Sequence, residues 1–358
     1  MRIALLSYST KPRGGVVHTL ALAEALAAAG ADVTVWTLGR GGDRAFFRDV
    51  HPSVAQRIVP FPEGPPDETV GERVLRSIAT LREAFDPRPY TVVHAQDCIS
   101  ANAVGRCVRT VHHLDHFTTP ELAACHERAL TEPHAHICVS RAVADELAAG
   151  WGLTAEVIPN GVASERFADP DPAARERWRA RLGRYVLTVG GIEPRKGSLD
   201  LLEAHALLRA RHPGTRLVIA GGETLFDYRD YRARWEARAA ELGVDPVVLG
   251  PVAEDELPAL VAAADAFAFP SVKEGFGLAA MEALAAGVPL VVRELPVLRE
   301  VFGHAARFAA TPDDLAAALA LALRDDDPER RAAGRELAAR HTWEEAARRH
   351  LAFYRSLG

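Results

Sequence analysis

Short apolar runs alternate with helical segments along most of the chain. The first run is Arg2–Tyr8, and a loop with Gly14 and Gly15 leads from it into a predicted helix over residues 16–29. A second apolar run, Asp32–Leu38, follows that helix. An apolar run, a glycine loop, a helix of about 14 residues and another apolar run form a β-α-β unit, so the pattern predicts a parallel sheet.

The pattern stops in the middle of the chain and then begins again. Residues 163–183 carry Pro170, Pro172 and alternating charge, which predicts a linker. A strand at Tyr185–Val189, a glycine loop and a helix over 198–211 come next. Further strands are predicted at Thr91–His94, His136–Val139, Arg216–Ala220, Val247–Leu249, Ala266–Phe269 and Leu290–Val292. The chain is therefore predicted to be an α/β protein with two doubly wound domains that face each other across a cleft, where ligands bind at the strand C-termini.

The predicted domains cover residues 1–165 and 166–341, and residues 342–358 form a C-terminal helix. Trp343 and Tyr354 are the apolar anchors of that helix, which we expect to pack back on the first domain. A chain of 358 residues is longer than one core usually supports, which agrees with two domains.

Composition and charge exclude several classes of protein. The chain is 48% hydrophobic and 25% charged, as is typical of globular proteins, and its net charge of −6 argues against a nucleic-acid partner. No apolar run approaches the ~18 residues of a membrane span. The four cysteines have no CxxC spacing, so we expect free thiols and a cytoplasmic protein.

Lysine is rare and confined to loops. Only three of the 42 basic residues are lysines, and each lies in a glycine-flanked loop: Lys11, Lys196 and Lys273. A compact, rotatable ammonium suits a phosphate better than a guanidinium does, but loops also hold charged residues in general. Both explanations stay open for Lys11 and Lys273, whereas the glycines around Lys196 and the helix that follows favour a phosphate site.

Two glutamates bracket the start of another predicted helix. Glu274 lies in a glycine loop before the helix that begins near Leu278, and Glu282 lies about one turn inside it. The amides of Gly277 and Leu278 would meet an anion at the positive end of the helix dipole. Carboxylates cannot bind phosphate themselves, but they suit the hydroxyls of a ribose and of a second sugar.

These features resemble the GT-B superfamily of retaining glycosyltransferases, the group 1 enzymes that include glycogen synthases, sucrose synthases and bacterial phosphatidylinositol mannosyltransferases. Glu274 and Glu282 match the two glutamates, separated by a seven-residue spacer, that mark this superfamily. Other matches occur in the family's order across nearly the whole chain: Gly14-Gly15 with His18, Thr110-Val111-His112, Val139-Ser140, Ile158-Pro159-Asn160-Gly161-Val162, and Val189-Gly190-Gly191 with Lys196-Gly197. The resemblance implies a GT-B fold and a nucleotide-sugar donor.

The resemblance also implies a role for individual residues. Lys196 would hold the donor pyrophosphate, Glu282 the nucleotide ribose and Glu274 the hydroxyls of the donor sugar. Gly15 would face the phosphates, and His112 would hydrogen-bond the transferred sugar near its reacting carbon. The remaining donor contacts would come from Gly14, Gly190, Gly191, Pro251, Val252 and the backbone of Phe276, Gly277 and Leu278.

The chain departs from the family pattern in its phosphate loop. The family usually has an arginine where this chain has Gly191. Arg195, beside Lys196, is the candidate to supply the missing charge. Adjacent side chains point apart on an extended segment, but a turn that enters the helix at Ser198 would let the two cations converge, and we predict that they do.

Three groups of residues have the composition of a metal site: Asp169-Pro170-Asp171, Asp325-Asp326-Asp327, and His112, His113, Asp115 and His116. The first lies in the predicted linker, the second in the exposed end of a helix, and adjacent histidines point to opposite faces of a strand. A structural or acceptor-side role is therefore favoured for His113 and Asp115. The sequence predicts catalysis without a metal or other cofactor, with Lys196, Arg195 and helix dipoles neutralising the diphosphate.

The predicted function is metal-independent, retaining transfer from a nucleotide-sugar to an unidentified small-molecule, glycan or lipid-linked acceptor. The irregular segments 40–75 and 112–120 are the expected acceptor region. Arginines in or near it could meet an anionic acceptor or a membrane surface, or could simply be solvated: Arg44, Arg48, Arg73 and Arg76. A nucleotide-sugar epimerase and a non-catalytic nucleotide-sugar-binding protein are the alternatives. An NAD-dependent enzyme is disfavoured because no G-x-G-x-x-G follows a strand.

Overall fold

The computed structural model describes residues 1–115, 117, 119–222, 228–324 and 327–358. The chain divides into two compact units. Unit 1 contains Met1–Gly161 together with Trp343–Gly358, and unit 2 contains Val162–Thr342. Each unit is a parallel sheet with helices, so the predicted pair of doubly wound α/β domains is confirmed.

Unit 1 is built on a seven-stranded sheet with the order β3-β2-β1-β4-β5-β6-β7. Its strands are β1 (Arg2–Leu6), β2 (Asp32–Arg40), β3 (Val54–Phe61), β4 (Val92–Ala95), β5 (Val108–Val111), β6 (Ala135–Cys138) and β7 (Glu156–Val157). Its helices within the first part of the chain are α1 (Gly14–Ala28), α2 (Val70–Ala84), α3 (Cys98–Val104), α4 (Pro120–Thr131) and α5 (Arg141–Trp151). All of its strand pairs are parallel.

Strand β1, which lies inside this sheet between β2 and β4, is buried on both faces. Ile3 and Leu5 pack in one apolar cluster together with residues of α1, whereas Ala4 and Leu6 pack in a second cluster with Leu81 of α2. Alternate residues of a strand point to opposite faces, so helices cover both sides of the sheet. This arrangement explains why β1 reads as a continuous apolar run.

Unit 2 has a six-stranded parallel sheet with the order β10-β9-β8-β11-β12-β13. Its strands are β8 (Tyr185–Val189), β9 (Arg216–Ala220), β10 (Val247–Gly250), β11 (Ala266–Phe269), β12 (Leu290–Arg293) and β13 (Arg307–Ala309). Its helices are α6 (Ser164–Ala168), α7 (Pro172–Leu182), α8 (Ser198–Arg209), α9 (Arg229–Glu241), α10 (Leu257–Ala262), α11 (Leu278–Ala285), α12 (Pro296–Phe302), α13 (Pro312–Ala322) and α14 (Pro328–Arg340), with short 3₁₀ turns at Pro194–Lys196 and Gly303–Ala305.

The C-terminal helix α15 (Trp343–Ser356) belongs to unit 1 and packs against α1. Tyr354 lies in the same core cluster as Ile3, and its hydroxyl is 2.6 Å from Nδ1 of the buried His94. Trp343 packs at the edge of that cluster. The hydrophobic effect and one buried hydrogen bond therefore attach the end of the chain to the first sheet.

The prediction of a linker at 163–183 is wrong, because α6 and α7 occupy most of this segment. Asp171 caps α7: its carboxylate accepts hydrogen bonds from the amides of Ala173 and Ala174, and Pro172 stands at the first helical position. A proline is favourable at that position because its fixed φ suits a helix and the missing N–H would have no intrahelical partner. Pro172 therefore starts a helix here, and α7 packs against α10.

The segments β3, β5, β7 and β13 were not among the predicted strands. β7 has two residues and β13 three, and β3 is an edge strand that contains Pro60. Such segments carry little periodicity of their own, and pairing with a neighbouring strand stabilises them. None of the described helices combines the length and the apolar character that crossing a membrane requires.

Gly197, the residue before α8, provides a test of the loop that carries Lys196. Its φ is +63°, and a Cβ there would lie 2.3 Å from the carbonyl oxygen of Pro270. We expect Gly197→Ala to lower the free energy of unfolding by about 2–4 kcal/mol, because a left-handed alanine costs about 1–2 kcal/mol and the overlap adds to it. Urea denaturation measures the change.

Gly214 is the matched control, since a Cβ there has no heavy atom within 4 Å. Gly214→Ala is expected to change the free energy of unfolding by less than about 0.5 kcal/mol. Equal effects of the two substitutions would contradict the predicted overlap at Gly197.

Candidate active site

Two cationic side chains in unit 2 donate hydrogen bonds to the same carboxylate oxygen. Lys196 Nζ lies 2.5 Å and Arg195 Nη1 lies 3.1 Å from Oε1 of Glu274. The other side of the Arg195 guanidinium, Nη2, donates to Glu193 Oε1 at 3.2 Å. Pro194–Lys196 is a 3₁₀ turn, and this turn makes the two neighbouring side chains converge as the sequence predicted.

The two loops that carry these residues follow adjacent strands. The loop of Lys196 follows β8, the loop of Glu274 follows β11, and β8 and β11 are paired. The amide of Val272 donates to the carbonyl of Arg195 at 2.8 Å, which joins the loops directly. The ammonium of Lys196 also lies 5.2 Å from the ring centroid of Phe269, within the range of a cation–π interaction. Backbone and side-chain contacts therefore hold Lys196 against Glu274.

The helix α11 begins immediately after this cluster. Gly277 precedes its first residue, Leu278, and Phe276 is buried with its ring 5.6 Å from that of His341. The first amides of a helix have no intrahelical acceptor and carry partial positive charge. The predicted donor residues Phe276, Gly277 and Leu278 therefore place backbone N–H groups next to Glu274 in the chain.

Glu282 lies in α11 in an environment that disfavours its ionised form. Burial is the main reason that the pKa of Glu282 is raised to about 8; the nearby Glu254 contributes to the rise, and Arg166 opposes it. Arg166, in α6, pairs with the Glu254 carboxylate. Sequence reasoning missed Arg166 and Glu254, because Arg166 lies in the segment interpreted as a linker and neither residue belongs to a recognisable motif.

Glycines line the carboxyl edge of the second sheet. The amide of Gly190 donates to the end of β9, and a Cβ on Gly221 would lie 2.3 Å from the carbonyl oxygen of Gly190. A Cβ on Gly222 would lie 3.0 Å from Pro251 Cγ. The predicted donor residues Gly191 and Val252 follow Gly190 and Pro251 in the chain. Gly221 was not among the predicted site residues, although a glycine pair directly after a strand is a signal for this close approach.

A second group of predicted residues lies in unit 1. Gly14 and Gly15 are the first residues of α1, and a Cβ on Gly15 would be 3.9 Å from His112 Cδ2. His112 directly follows β5. Burial, followed in importance by the charges of Arg109, His113 and His94, lowers the pKa of His112 to about 3, so its imidazole is neutral near pH 7.

The ring of His112 is held by a second histidine. His18 packs edge-on against it with 4.7 Å between ring centroids, and His18 Nδ1 lies 2.9 Å from Asn160 Oδ1. The ring of Trp343, in α15, also packs against His18, with 5.4 Å between the ring centroids. These contacts give a physical reason for the presence of His18 and Asn160 in the motifs around the candidate site. Asn160 orients the ring of His18, and His18 packs against His112.

The other candidates have local partners. Lys11 Nζ lies 2.9 Å from Asp43 Oδ2, and the Lys273 carbonyl accepts a hydrogen bond from Arg195 at 3.4 Å. His113 Nε2 lies 3.2 Å from Asp115 Oδ2.

Asp171 is the cap of α7, whereas His116, Asp325 and Asp326 lie outside the described residues. Within the described ranges, no three or more His, Cys, Asp or Glu side chains are grouped as metal ligands.

Two family models match the chain and together cover most of it. The model of the group 1 glycosyl transferases matches residues 174–348, and the model of glycosyltransferase family 4 matches residues 12–166. The first match contains the Lys196–Glu274 cluster and Glu282, and the second contains Gly14, Gly15 and His112.

Similar proteins extend over nearly the whole chain. A glycogen synthase of Mycobacterium tuberculosis is 31% identical, with 97% of this chain and 92% of that protein covered. A D-inositol 3-phosphate glycosyltransferase of Acidothermus cellulolyticus is 32% identical, with 81% and 74% covered. The solved sucrose-phosphate synthase of Thermosynechococcus elongatus has a TM-score of 0.79 at 22% identity, with 100% and 99% covered. The Anabaena HepE protein, solved with UDP and glucose, has a TM-score of 0.74 at 20% identity, with 99% and 100% covered. The predicted GT-B fold is confirmed.

The pKa of Glu282 leads to a prediction about stability. An unfolded glutamate has a pKa near 4.5 and the folded one about 8, so the folded protein retains a proton between these pH values. The stability that Glu282 confers is complete below pH 4.5 and is lost as the pH rises towards 8. We expect the stability of Glu282→Gln relative to the wild type to rise between pH 5.5 and 8 by up to about 1.4 kcal/mol per pH unit.

Urea denaturation at several pH values measures this difference. Glu236→Gln, at an exposed position of α9, is the control, and its stability relative to the wild type should stay nearly constant over the same range. A constant difference for Glu282→Gln as well would contradict the raised pKa.

Proposed function

The chain belongs to the group 1 glycosyltransferases, and from this premise we propose that it transfers a sugar from a nucleoside-diphosphate donor to an acceptor hydroxyl with retention of anomeric configuration and without a metal ion. The convergence of Lys196 and Arg195 on Glu274 is the observation that carries the proposal. It places two cationic side chains beside a carboxylate that can bind sugar hydroxyls.

The leaving group explains the two cations. When a nucleotide-sugar reacts, the bond between the sugar and the diphosphate breaks, and negative charge develops on the diphosphate. Lys196 and Arg195 would stabilise that charge, together with the N-terminal amides of α8 and α11. These groups are already in position, so little reorganisation is needed during the reaction. HepE, solved with UDP-glucose in one of its structures, supports a nucleotide-sugar as the donor.

Glu274 has the right chemistry for the sugar itself. In the protein alone its Oε1 accepts hydrogen bonds from both cations. Phosphate oxygens would take over some of those donors when a donor substrate binds, and the carboxylate would then accept hydrogen bonds from sugar hydroxyls. Because its pKa is raised to about 8, Glu282 is mostly protonated and uncharged at neutral pH. It would therefore bind the ribose with a smaller desolvation cost than an ionised carboxylate.

His112 would contact the transferred sugar. Because the pKa of His112 is about 3, its ring carries no positive charge at neutral pH. A neutral imidazole can hydrogen-bond a sugar hydroxyl without opposing the positive charge that develops on the reacting sugar ring. The buried contact with His18 would fix the orientation of this ring.

Retention and metal independence are tested together. We expect activity to persist in excess chelator, because Lys196 and Arg195 replace a divalent ion at the diphosphate, and the product to keep the anomeric configuration of the donor. Donors are screened from UDP-, GDP- and ADP-sugars with and without an acceptor panel, and NMR assigns the anomer. Loss of activity in chelator that Mn²⁺ restores would overturn metal independence. An inverted anomer would overturn retention, and a released epimer without transfer would favour the epimerase alternative.

The cations are tested by substitution. Lys196→Ala is expected to lower kcat/KM by the equivalent of about 2–4 kcal/mol, as for the loss of one preorganised donor, and Arg195→Ala by at least about 1 kcal/mol. Lys196→Arg should not restore activity, because the guanidinium is larger and planar. Lys11→Ala, at a lysine paired with Asp43, is the control and should leave nucleoside-diphosphate affinity within twofold. Full activity of Arg195→Ala would show that another group fills the place left by Gly191.

A further inference from the structure

Three arginines from separate segments meet at the carboxyl edge of the first sheet. Arg40 is the last residue of β2, Arg13 directly precedes α1, and Arg73 lies in the first turns of α2. All three are half-buried, and Arg13 and Arg40 face the ring of Tyr8, which follows β1. We call Arg13, Arg40 and Arg73 the arginine group.

The contacts of Arg40 define the geometry of this group. The carbon of its guanidinium lies 5.4 Å from the centroid of the Tyr8 ring, and that of Arg13 lies 5.9 Å from it. Arg40 Nε donates to the carbonyl of Tyr8 at 3.0 Å, and Nη2 donates to Ser77 Oγ at 2.8 Å. Ser77 Oγ in turn donates to the carbonyl of Arg73. Arg40 is therefore fixed between the end of β1 and α2, and the guanidiniums of Arg13 and Arg73 are close enough to act on it.

Positive charge is in excess here. The charges that act on Arg40 are the guanidiniums of Arg73 and Arg13, the phenol of Tyr8 and the carboxyls of Asp97 and Glu68, and Glu68 also pairs with Arg76. Burial, with the two neighbouring cations adding to it, lowers the pKa of Arg40 to about 10, and burial raises the pKa of Asp97. Like charges held together in a partly buried place cost free energy, and a bound anion would recover it.

A buried amide follows β4, the strand that is paired with β1. Gln96 is 1% exposed, and within the part of the chain that the structure describes neither its side-chain oxygen nor its nitrogen has a hydrogen-bond partner. Its backbone N–H donates to Leu6, so Gln96 lies beside the segment that leads to Tyr8. It also precedes Asp97 in the chain. Buried polar groups without partners are rare and costly, and a ligand with hydroxyl groups would satisfy both atoms of this amide.

We propose that the arginine group binds the phosphate monoester of the acceptor, so that the acceptor is a phosphorylated sugar or polyol. This inference rests on the proposed glycosyl transfer and names the substrate class for it. A phosphate monoester carries nearly two negative charges and three terminal oxygens near neutral pH, which matches several guanidiniums better than a carboxylate with one charge and two oxygens. Gln96 would hydrogen-bond hydroxyls of the same molecule.

The position of the group fits an acceptor. Arg13 is two residues before Gly15, and Gly15 lies against His112, the residue expected to contact the transferred sugar. The arginine group and His112 thus lie at the same edge of one sheet, within unit 1. Arg76 is bound through two hydrogen bonds to Glu68 and stacks over Phe61, and we do not include it in the group.

The test measures phosphate binding apart from glycosyl transfer. Phosphate also has an expected site at Lys196, so Lys196→Ala is the background, and calorimetry follows the binding of inorganic phosphate, glucose 6-phosphate and glucose. We expect both phosphate compounds to bind this background at least tenfold more tightly than glucose. Adding Arg13→Gln and Arg73→Gln should weaken their binding at least tenfold. Adding Arg57→Gln, at an exposed position of β3, should change it less than twofold.

Two outcomes would overturn the proposal. One is phosphate affinity that Arg13→Gln and Arg73→Gln leave unchanged. The other is binding to phosphatidylglycerol vesicles that requires these arginines while the soluble phosphates do not bind, because the ligand would then be a lipid phosphodiester. Thermal melts check folding, and Arg73→Lys, which keeps the charge but loses the planar fork, replaces the double substitution if that protein does not fold.

The proposed transfer reaction is tested separately by the binding of UDP, GDP and ADP to the wild type and to Lys196→Ala. Nucleotide binding that Lys196→Ala does not weaken would count against the donor site at Lys196 and leave the arginine group unaffected. Absence of phosphate binding at the arginine group, together with normal nucleotide binding, would count against the arginine group and leave the donor site at Lys196 unaffected.

Discussion

Glu274 accepts hydrogen bonds from Lys196 and Arg195 through a single carboxylate oxygen, and the organisation of unit 2 around its carboxyl edge depends on this contact. The side chains are only 10% exposed for Glu274 and 20% for Lys196, so the attraction between them is less screened than that of a surface ion pair. A carboxylate without its cations would be costly to bury here, and so would either cation alone. The loop after β8 and the loop after β11 therefore adopt one arrangement together, and the backbone hydrogen bond between Val272 and Arg195 reinforces it.

The parallel sheet explains why loops so distant in the chain can share a site. In both units the strands at the centre of the sheet are followed by the candidate residues: β8 and β11 by Lys196 and Glu274, and β5 by His112. The carboxyl ends of parallel strands all lie at one edge, and helices begin there with their positive ends. A parallel sheet therefore brings anion-binding groups together without any need for them to be close in the sequence.

Burial determines the charge of the site residues as much as their identity does. His112 is neutral because burial and neighbouring cations lower its pKa, and Glu282 retains its proton up to about pH 8 because burial raises its pKa. The arginine group shows the opposite case, because guanidiniums keep their charge even when half-buried. Burial thus neutralises a titratable residue at one position and leaves positive charge at another.

Local pattern and residue chemistry in the sequence determined much of the fold and a part of the candidate site. The β-α-β pattern predicted both parallel sheets, and the glycine loops marked Lys196 and Glu274, because a strand, a tight turn and a helix start all leave signals within a few residues. The convergence of Arg195 with Lys196 followed from a turn that could be expected before α8. The functional roles of these residues remain predictions.

Only the tertiary structure decided which distant residues act on one another. Arg166 and Glu254 act on Glu282, although long stretches of chain separate them. In the same way Arg13 and Arg40 meet at Tyr8, and Arg73 acts on Arg40. Pro172 starts α7, which packs against α10. The edge strands β3, β7 and β13 form because a neighbouring strand pairs with each of them. Such contacts depend on burial and pairing between segments, and a single sequence without its fold contains no local signal for them.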